Sequence, residues 1–352
     1  MSIIYSVGVS AGERNLSNQD LEKILAITSL EGTSDEWIVQ RTGIKNRKVT
    51  LVKSIGDLAL EASVNAFASL KKEIHPVQHI IVATNTPRHG FPNIAGYLQD
   101  RLQDNYSDLV QSDSSGVDLG AGCGGINFAL MHADGLISSG KLESILVVGA
   151  EKLSDVTDYS DRGTCILFGD GASAYILGRG NSGGFIGDYR HGSGRDRGLI
   201  TCTDKEKVDL RSAIDALERG DRPSKVTGPV LEMNGKKVFA YVVNQWGAVL
   251  EKLKDPKFNP EKVSYDEIEY IAPHLANLRC LEAVNQRYPS FLKKCGLLDC
   301  ENLIDFHNTS TASQGRRVKD FVDNAGSGSY LLSFGYGAGL QACANLYRKP
   351  AA

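Results

Sequence analysis

The chain has 352 residues, with 39 Lys and Arg against 42 Asp and Glu and a formal net charge of -3. This length exceeds what one hydrophobic core usually serves, so we expect two cores or two fused halves. The near-neutral balance provides no broad positive field, which argues against nucleic acid as a partner. The N-terminus lacks the features of a signal peptide, and no stretch approaches the roughly 18 apolar residues of a membrane span. We therefore expect a cytoplasmic protein without a membrane segment.

The cysteines indicate reduced thiols. The chain has seven, an odd number without the spacing of a small disulfide scaffold. Cys295 and Cys300, followed by His307, are the only grouping that suggests a metal site. The two cysteines lack the usual two-residue spacing and there is no second pair, so no metal is expected.

Apolar runs rich in Val and Ile alternate with helical patterns, which is typical of an α/β protein with buried strands. The runs lie at residues 79–83, 144–149, 172–177, 269–272, 303–306 and 330–334.

A helix is predicted directly after Cys123. Ile126, Leu130, Ala133 and Ile137 follow the spacing i, i+4, i+7 and i+11, the apolar stripe of a helix that packs on a sheet. Cys123 is therefore expected at the start of that helix.

The order of strands and helices before residue 178 is repeated in coarser form after residue 269, which predicts two similar halves. We place the first half at residues 1–179 and the second at 180–352. Between the repeated patterns, residues 180–228 are rich in Gly, Ser, Asp and Arg. This composition predicts a loop-rich excursion with one short helix near 212–217.

Cys123 is the candidate nucleophile. A lone cysteine often only packs in the interior, but Gly122, Gly124 and Gly125 clear side chains from around this thiol. A helix start also favours the thiolate through its dipole and its free N–H groups. These neighbours favour a nucleophile over a packing residue.

His274 and Asn308 are the candidate polar partners of Cys123. His274 follows Pro273 at the end of a predicted strand, a common place for functional groups in an open α/β sheet. A histidine taken alone is more often a hydrogen-bonded structural residue. The alternative for Asn308 is a cap of the helix that Thr309 and Ser310 open. The residues themselves leave these alternatives open.

Several separate motifs resemble β-ketoacyl-acyl-carrier-protein synthase III of the thiolase superfamily, in the order of that family. They are TSDEWIV at 33–39 with RTGI at 41–44, DLGAGC at 118–123, DRGT at 161–164 with FGDGA at 168–172, PHLANLR at 273–279, NTSTAS at 308–313 and GYGAG at 335–339. The resemblance implies a thiolase-like fold, in which two similar βαβαβ halves stack as α-β-α-β-α layers.

The resemblance also implies a mechanism in two half-reactions. Cys123 takes an acyl group from acyl-coenzyme A, with the backbone N–H groups of Cys123 and Ala338 as the oxyanion hole. A malonyl thioester, carried by coenzyme A or by acyl carrier protein, then loses carbon dioxide. His274 and Asn308 stabilise the resulting enolate, which attacks the acyl-enzyme and gives a β-ketoacyl thioester. No flavin, nicotinamide or metal cofactor is implied.

By the same resemblance, further residues bind coenzyme A. Trp37 and Arg162 are expected to sandwich the adenine ring, and Arg41 to meet the phosphates. Asn277 is expected beside the pantetheine arm, and Phe239 in the wall of the tunnel. A core anchor is the alternative reading for Trp37.

The resemblance assigns Phe91 and Tyr336 to the acyl pocket. Phe91 is expected to reach across a two-fold interface into the partner's pocket, which predicts a homodimer. Ordinary packing is the alternative for Phe91. Arg279 is the expected docking residue for an acidic carrier protein.

Three alternatives to a chain-initiating condensation remain open on the sequence. One is a specialised relative that condenses or cyclises longer acyl units, which the length of the excursion at 180–228 and Ala240 in place of an expected basic residue favour. Another is acyl transfer to an oxygen or nitrogen without decarboxylation. The third is a catalytically silent subunit of a heteromeric synthase, against which the intact Cys123, His274 and Asn308 argue.

Overall fold

Two mixed β-sheets organise the chain, which this computed structural model describes over residues 1–29, 31–87, 89–297 and 307–351. The first sheet contains β1 (Ser2–Ala11), β4 (Val77–Ala83), β5 (Val110–Leu119), β6 (Ser144–Lys152) and β7 (Asp170–Arg179). Its strand order is β1-β7-β6-β4-β5. β4 runs parallel to β5 and β6, whereas β7 is antiparallel to β1 and β6. β5 is therefore an edge strand.

The second sheet contains β8 (Gly184–Gly192), β11 (Ile268–Pro273), β12 (Tyr330–Gly337) and β13 (Gln341–Arg348). Its order is β11-β12-β13-β8. β11 and β12 are parallel, and the other two pairs are antiparallel. In both sheets, the carboxyl end of a parallel strand leads directly to a candidate site residue, as expected for an α/β protein.

Two antiparallel ribbons lie outside the main sheets. β2 (Arg14–Ser17) pairs with β3 (Asn46–Val49), and β9 (Ile200–Lys207) pairs with β10 (Val226–Met233).

The helices begin at recognisable caps. Ser17 and Ser54 each form a capping box with an aspartate three residues on, which satisfies free N–H groups of the first turn. The helices are α1 (Asn18–Thr28), α2 (Asp35–Thr42), α3 (Ile55–Ala68), α4 (Ile94–Tyr106), α5 (Gly125–Ser138), α6 (Leu210–Arg219), α7 (Gly235–Lys252), α8 (Leu278–Arg287), α9 (Phe291–Lys294) and α10 (Gly315–Asn324).

Three buried clusters show how the layers stack. One cluster packs α3 and α4 on one face of the first sheet. Another places α5 and α10 between the two sheets. The third packs α7 and α8 on the outer face of the second sheet. Since neighbouring residues of a strand face opposite sides, Leu146 and Val148 of β6 belong to the first cluster and Val147 to the second. The order of layers is α-β-α-β-α, as expected from the sequence.

The predicted helix after Cys123 is α5, and its stripe has the predicted role. Ile126, Leu130, Ala133 and Ile137 are all buried and pack in the cluster between the sheets. Cys123, the candidate nucleophile, thus lies two residues before the start of a helix that packs between the two sheets.

The prediction of a loop-rich excursion at 180–228 was wrong for most of its length. Residues 184–192 form β8, which pairs with β13 along its whole length, and residues 200–207 form β9. The short helix was correct and extends over α6. The glycines and charged residues of β8 gave no strand pattern, because β8 is an edge strand with few buried residues and an exposed C-terminal third, so that backbone pairing rather than apolar burial stabilises it.

The proposed boundary between residues 179 and 180 falls between β7 and β8, and we keep it as a prediction. The expected strand at 303–306 lies outside the described residues. No helix among the described residues is long and apolar enough to cross a membrane.

Candidate active site

Cys123 lies in the tight connection between β5 and α5. The first residue of α5 is Gly125, and Gly124 stands at the N-cap position, where no side chain caps the helix. Gly122 has a φ of 63°, which a residue with a Cβ adopts only with strain. The side chain of Cys123 is partly accessible. The thiol therefore lies beside the first turn of α5, in which Gly125 N–H donates to Gly122 O at 2.9 Å and Asn127 N–H donates to Gly124 O at 3.0 Å.

The loop after β12 packs backbone to backbone against Cys123. A Cβ on Gly337 would lie 2.1 Å from the Cys123 nitrogen, and a Cβ on Gly122 would lie 2.5 Å from the Ala338 nitrogen. Only glycine permits this approach. The two N–H groups expected to form the oxyanion hole, those of Cys123 and Ala338, consequently belong to adjoining segments.

His274 directly follows β11 and is 1% exposed. Its backbone N–H donates to Phe334 O at 2.8 Å, and its Nδ1 lies 2.8 Å from the Ser313 hydroxyl. The Ser313 oxygen also lies 2.8 Å from Ser310 O, which accepts the Ser313 backbone N–H as well. Since a hydroxyl has one proton, Ser313 can donate either to Nδ1 or to that carbonyl, and this choice sets the histidine tautomer.

Asn308 is 5% exposed and lies beside a 3₁₀ turn, Ser310–Ala312. Its Oδ1 accepts the Ser310 N–H at 2.9 Å. Asn308 thus forms a local side-chain turn before the 3₁₀ turn, whose N-cap is Thr309 and has no side-chain capping bond, so Asn308 is not the helix cap of the alternative reading. This same bond fixes the orientation of the amide and leaves Nδ2 as the group that can donate elsewhere.

Ser310 connects the three predicted residues. Its N–H donates to Asn308 Oδ1, its carbonyl lies beside the Ser313 hydroxyl that meets His274, and its side chain acts to lower the pKa of Cys123. Ser310 has a φ of 48°, which is strained for a residue with a side chain. Such strain concentrates where function requires a fixed geometry. The structure therefore brings Cys123, His274 and Asn308 to one place.

A buried carboxylate, Glu151 at the end of β6, lies behind this turn and is 0% exposed. It accepts hydrogen bonds from Ser310 Oγ at 2.9 Å and from Thr311 Oγ1 at 3.1 Å. It also accepts from Thr86 Oγ1 at 2.7 Å and from Asn85 Nδ2 at 2.8 Å. Desolvation raises the pKa of Glu151, while these donors oppose the rise.

Burial perturbs the titration of both Cys123 and His274. Desolvation raises the pKa of the Cys123 thiol to about 12, with a hydrogen bond to Ser310 opposing the rise and the charge of Glu151 adding to it. Desolvation lowers the pKa of His274 to about 3, against a contact with Ser310 O. The imidazole is thus neutral near pH 7. The helix start alone does not make Cys123 a thiolate.

Comparisons with known proteins show the family of the chain. The model of the 3-oxoacyl-[acyl-carrier-protein] synthase III family matches residues 117–194, which include Cys123 and Glu151. The β-ketoacyl-[acyl-carrier-protein] synthase III 2 of Bacillus subtilis is 32% identical over 342 residues, 96% of this chain and 95% of the relative. The chain belongs to the β-ketoacyl-[acyl-carrier-protein] synthase III family.

Solved structures extend the likeness to the whole fold. The synthase III of Thermus thermophilus is 32% identical with a TM-score of 0.79, covering 99% of this chain and 100% of that one. The priming β-ketosynthase of a polyketide biosynthetic pathway is 25% identical with a TM-score of 0.80, covering 99% and 96%. The fold is therefore thiolase-like, and the protein is a ketosynthase III-like acyltransferase.

The residues predicted to hold adenine are together but closed on each other. The Arg162 guanidinium carbon is 4.4 Å from the centroid of Trp37, and that of Arg41 is 4.0 Å from it. Arg162 is also held by Glu31 at 2.7 Å and by Gly32 O at 2.8 Å. A third planar group does not fit between Trp37 and Arg162 at that spacing. An adenine sandwich therefore requires Arg162 to move.

The other predicted binding residues have mixed surroundings. Asn277 is the N-cap of α8, where its Oδ1 accepts the Arg279 N–H at 2.9 Å and its Nδ2 donates to Arg41 O at 3.0 Å. Its amide is thus engaged in local structure. Phe239 on α7 is 37% exposed, and the Arg279 side chain is exposed on α8.

The two residues assigned to the acyl pocket differ sharply. Tyr336 is buried, and its ring centroid lies 5.0 Å from that of His274. Its hydroxyl has no hydrogen-bond partner among the described residues. Phe91 is 88% exposed and therefore does not line a pocket of its own chain.

Sequence reasoning missed Glu151, and it assigned no role to Ser310 and Ser313, although both lie within the quoted NTSTAS motif. An acidic residue that ends the apolar run 145–150 was the available signal for Glu151, since a buried charge is costly without a function or a partner. No sequence signal indicated the serines. Of the suggested metal ligands, Cys300 lies outside the described residues, and the described part of the chain contains no cluster of three or more metal-binding side chains.

Proposed function

We propose that this protein loads an acyl group from acyl-coenzyme A onto Cys123 and condenses it with a malonyl thioester. One observation carries the proposal. The oxyanion-hole segments of Cys123 and Ala338 adjoin, and the turn beside them positions both His274 and Asn308. A nucleophile, oxyanion donors and two neutral polar groups at one point suit covalent acyl transfer followed by a second reaction.

In the first half-reaction, the Cys123 sulfur attacks the thioester carbonyl. The negative charge that develops on the carbonyl oxygen is stabilised by the backbone N–H groups of Cys123 and Ala338, which are already oriented by the close packing of the two loops. The bond to the coenzyme A sulfur breaks, and coenzyme A leaves as the thiol. The acyl group remains on Cys123.

In the second half-reaction, the malonyl thioester loses its carboxylate as carbon dioxide. The electron pair forms an enolate, whose oxygen receives hydrogen bonds from His274 and from Nδ2 of Asn308. The enolate carbon then attacks the acyl-enzyme carbonyl, and the Cys123 sulfur leaves. Neutral donors suit this step, because a carboxylate beside the enolate would oppose the developing charge.

This role for His274 requires the imidazole proton on Nε2, since neutral histidine donates from one nitrogen only. The Ser313 hydroxyl then donates to Nδ1, and Ser310 O keeps the Ser313 backbone N–H, at 3.2 Å, as its donor. The Ser313 oxygen meanwhile accepts the Leu275 N–H at 3.4 Å. Every polar group in the turn keeps a partner in this arrangement.

The malonyl group is carried by coenzyme A or by acyl carrier protein. The relatives' names support the carrier protein, and the exposed Arg279 on α8 offers a positive contact for an acidic partner. The product, a β-ketoacyl thioester, begins a fatty-acid or polyketide chain. The same residues also serve a specialised relative that joins or cyclises longer acyl units. We place the enzyme in the cytoplasm, since the six cysteines among the described residues are free thiols.

A homodimer completes the proposal. β5 is an edge strand of the first sheet, and Val117 on it is 47% exposed. Phe91, 88% exposed, precedes the helix α4 that packs on β5. Exposed apolar side chains along a free strand edge are typical of an interface. We propose that Phe91 enters the acyl pocket of the partner subunit.

The test combines intact-mass measurement with release of labelled carbon dioxide. Incubation with acyl-coenzyme A should add one acyl mass to the protein, and Cys123→Ala should abolish it. Carboxyl-labelled malonyl thioester should then release carbon dioxide from the acyl-enzyme. Acyl transfer to an alcohol or amine without that release would favour the transferase alternative. No acyl mass with any starter would overturn the proposal.

A further inference from the structure

The Cys123 thiol needs a route for its proton, and the structure contains one that ends in a carboxylate. Ser310 Oγ donates to Glu151 Oε1 at 2.9 Å. The turn that carries Ser310 packs against the start of α5, where a Cβ on Gly125 would lie 3.3 Å from Thr311 Cγ2, and the Ser310 side chain acts to lower the pKa of Cys123. With its own proton directed to Glu151, the Ser310 oxygen can only accept from a thiol that approaches it. The hydroxyl of Ser310 is therefore the group that can connect the sulfur to the carboxylate.

We propose that Ser310 and Glu151 relay the Cys123 proton during acyl loading, with Ser310 in contact with the sulfur and Glu151 acting through Ser310. The inference rests on the proposed loading of Cys123 and adds the means by which the nucleophile is activated. The Cys123 S–H bond breaks and its proton goes to Ser310 Oγ, which passes its own proton to Glu151 Oε1. The electron pair stays on sulfur and forms the new bond to the acyl carbon.

The step closes when coenzyme A leaves. The bond between the acyl carbon and the coenzyme A sulfur breaks, and that sulfur takes up a proton equivalent to the one Glu151 gained. Coenzyme A departs as a thiol and Glu151 is ionised again. No proton, electron or co-reactant is left over.

Charge conservation is the main physical argument for the relay. Glu151 is fully buried, and its negative charge raises the pKa of Cys123. Ionising the thiol into solvent would place two negative charges in one buried site, which is costly. Moving the proton from sulfur to Glu151 keeps the charge of the site at one throughout. The Glu151 carboxylate thus disfavours a thiolate whose proton goes to solvent, and it favours a thiolate whose proton moves to Glu151 itself.

The surroundings support both ends of the transfer. Among the described residues, the groups that hydrogen-bond to Glu151 are the neutral donors Asn85, Thr86, Ser310 and Thr311. Desolvation also raises the pKa of Glu151, which makes it a better proton acceptor.

The other titratable groups near Cys123 are poorer acceptors. His274 has a pKa lowered to about 3 by burial, so its imidazole binds a proton weakly. Tyr336 is a neutral phenol whose pKa is raised by burial. The first turn of α5 carries no acidic side chain. Glu151 is the acceptor that remains among these groups.

The experiment measures Cys123 alkylation by iodoacetamide between about pH 6.5 and 8.5, together with acyl loading by intact mass. A thiol that ionises into solvent reacts about tenfold faster per pH unit below its pKa. In the relay, the thiolate with protonated Glu151 has the same net charge as the thiol with ionised Glu151. The population of the form with a Cys123 thiolate and a protonated Glu151 therefore does not change with pH between the two pKa values of the Cys123–Glu151 pair. We expect a flat profile for the unmodified protein.

Two variants remove the relay and one serves as a matched control. In Glu151→Gln and in Ser310→Ala, the alkylation rate of Cys123 should rise with pH. Each variant should also slow acyl loading about 100-fold. Thr311→Val removes another hydroxyl donor of Glu151 that lies outside the path to sulfur, and should keep the flat profile. Thermal melting monitors folding of each variant.

The direction in which Glu151→Gln changes the reactivity of Cys123 distinguishes the relay from a carboxylate that takes no part in proton transfer. A carboxylate that only repels the thiolate should, when neutralised, make Cys123 more reactive. Acyl loading in Glu151→Gln that is as fast as in the unmodified protein, or faster, would therefore overturn the relay. So would an alkylation rate of Cys123 in the unmodified protein that rises tenfold per pH unit. If the unmodified protein takes up no acyl group, the proposed function fails instead, and the alkylation profile still tests the relay.

Discussion

The two halves of the active site handle negative charge in different ways. Around Cys123, a buried carboxylate lies one hydroxyl away, so the nucleophile shares a site with a full negative charge. Around His274 and Asn308, the contacts are with Ser313 and with the backbone of Ser310, all of them neutral. In our proposal, the first region moves a proton, and the second donates hydrogen bonds to an oxygen that gains charge.

This difference indicates that the turn at Ser310 can serve the two half-reactions with different groups, its side chain in one and its backbone in the other. Ser310 faces Cys123 and Glu151 with its hydroxyl, and Asn308 and Ser313 with its backbone. A substitution of one side chain should therefore change the rate of acyl loading but not that of decarboxylation, or the rate of decarboxylation but not that of loading. The following variants test whether the two regions are separable.

The largest expected effect comes from Asn308→Asp, which places a carboxylate where neutral donors now lie. The shape is nearly unchanged, but the new negative charge opposes the enolate. We expect decarboxylation to fall about 10³-fold, the scale of losing an oxyanion donor, while acyl loading of Cys123 changes much less. Loading is measured by intact mass and decarboxylation by labelled carbon dioxide. An equal loss in both steps would contradict the separation of the two regions.

Ser313→Ala should produce the next largest effect, because it removes the hydroxyl that orients His274. Without a donor to Nδ1, the imidazole is free to carry its proton there, and Nε2 then no longer donates. We expect decarboxylation to fall about tenfold, the scale of one hydrogen bond. Ser313→Thr keeps the hydroxyl and serves as the control. Unchanged decarboxylation in Ser313→Ala would show that Ser313 does not set the tautomer.

The pH dependence of the second half-reaction sharpens the comparison further. Burial lowers the pKa of His274 from 6.5 to about 3, so the group gains a proton only well below neutrality. Decarboxylation by pre-loaded enzyme should therefore be constant between about pH 5 and 8. The measurement is single-turnover carbon dioxide release across that range. A rise or fall centred near pH 6.5 would mean that His274 titrates at its ordinary value.

Tyr336→Phe tests the ring that lies beside His274. The Tyr336 hydroxyl is buried without a partner among the described residues, and such a group typically costs about 1–3 kcal/mol. Its removal should raise the free energy of unfolding by about 1 kcal/mol, measured by urea denaturation with loading as the functional control. A loss of stability would show that the hydroxyl has a favourable contact.

The smallest effect is expected from a substitution of Glu31, which contacts neither the region around Cys123 nor the region around His274 and Asn308. The ion pair with Arg162 at 2.7 Å favours the closed stack on Trp37. Glu31→Gln should free Arg162 and lower the KM for acyl-coenzyme A about twofold, since exposed ion pairs contribute little. Glu36→Gln, an exposed change next to Trp37, is the matched control. An increased KM in Glu31→Gln would argue that the pair helps binding.

Much of this architecture follows from local sequence pattern. The stripe on α5 and the apolar runs of β4, β6, β7, β11 and β12 predicted buried elements, because periodicity reports the burial of each face directly. Cys123, His274 and Asn308 were recognisable because strand ends and a resemblance singled them out.

The remaining features depend on contacts that no local pattern records. β8 is an edge strand held by backbone pairing with β13, so its glycines and charges predicted a loop. Glu151 reaches Ser310 across 159 positions of sequence, and only the packing of the two halves joins them. The closed stack of Arg162 on Trp37 likewise depends on Glu31 rather than on the composition of either motif.

The most direct test is a single turnover of enzyme that carries its acyl group before the extender is added. Protein loaded from acyl-coenzyme A is freed of small molecules and then mixed with carboxyl-labelled malonyl thioester. The account predicts one carbon dioxide released for each acyl group lost from Cys123, with a β-ketoacyl thioester as the product. An acyl group that stays on Cys123, or that leaves without carbon dioxide, would contradict it.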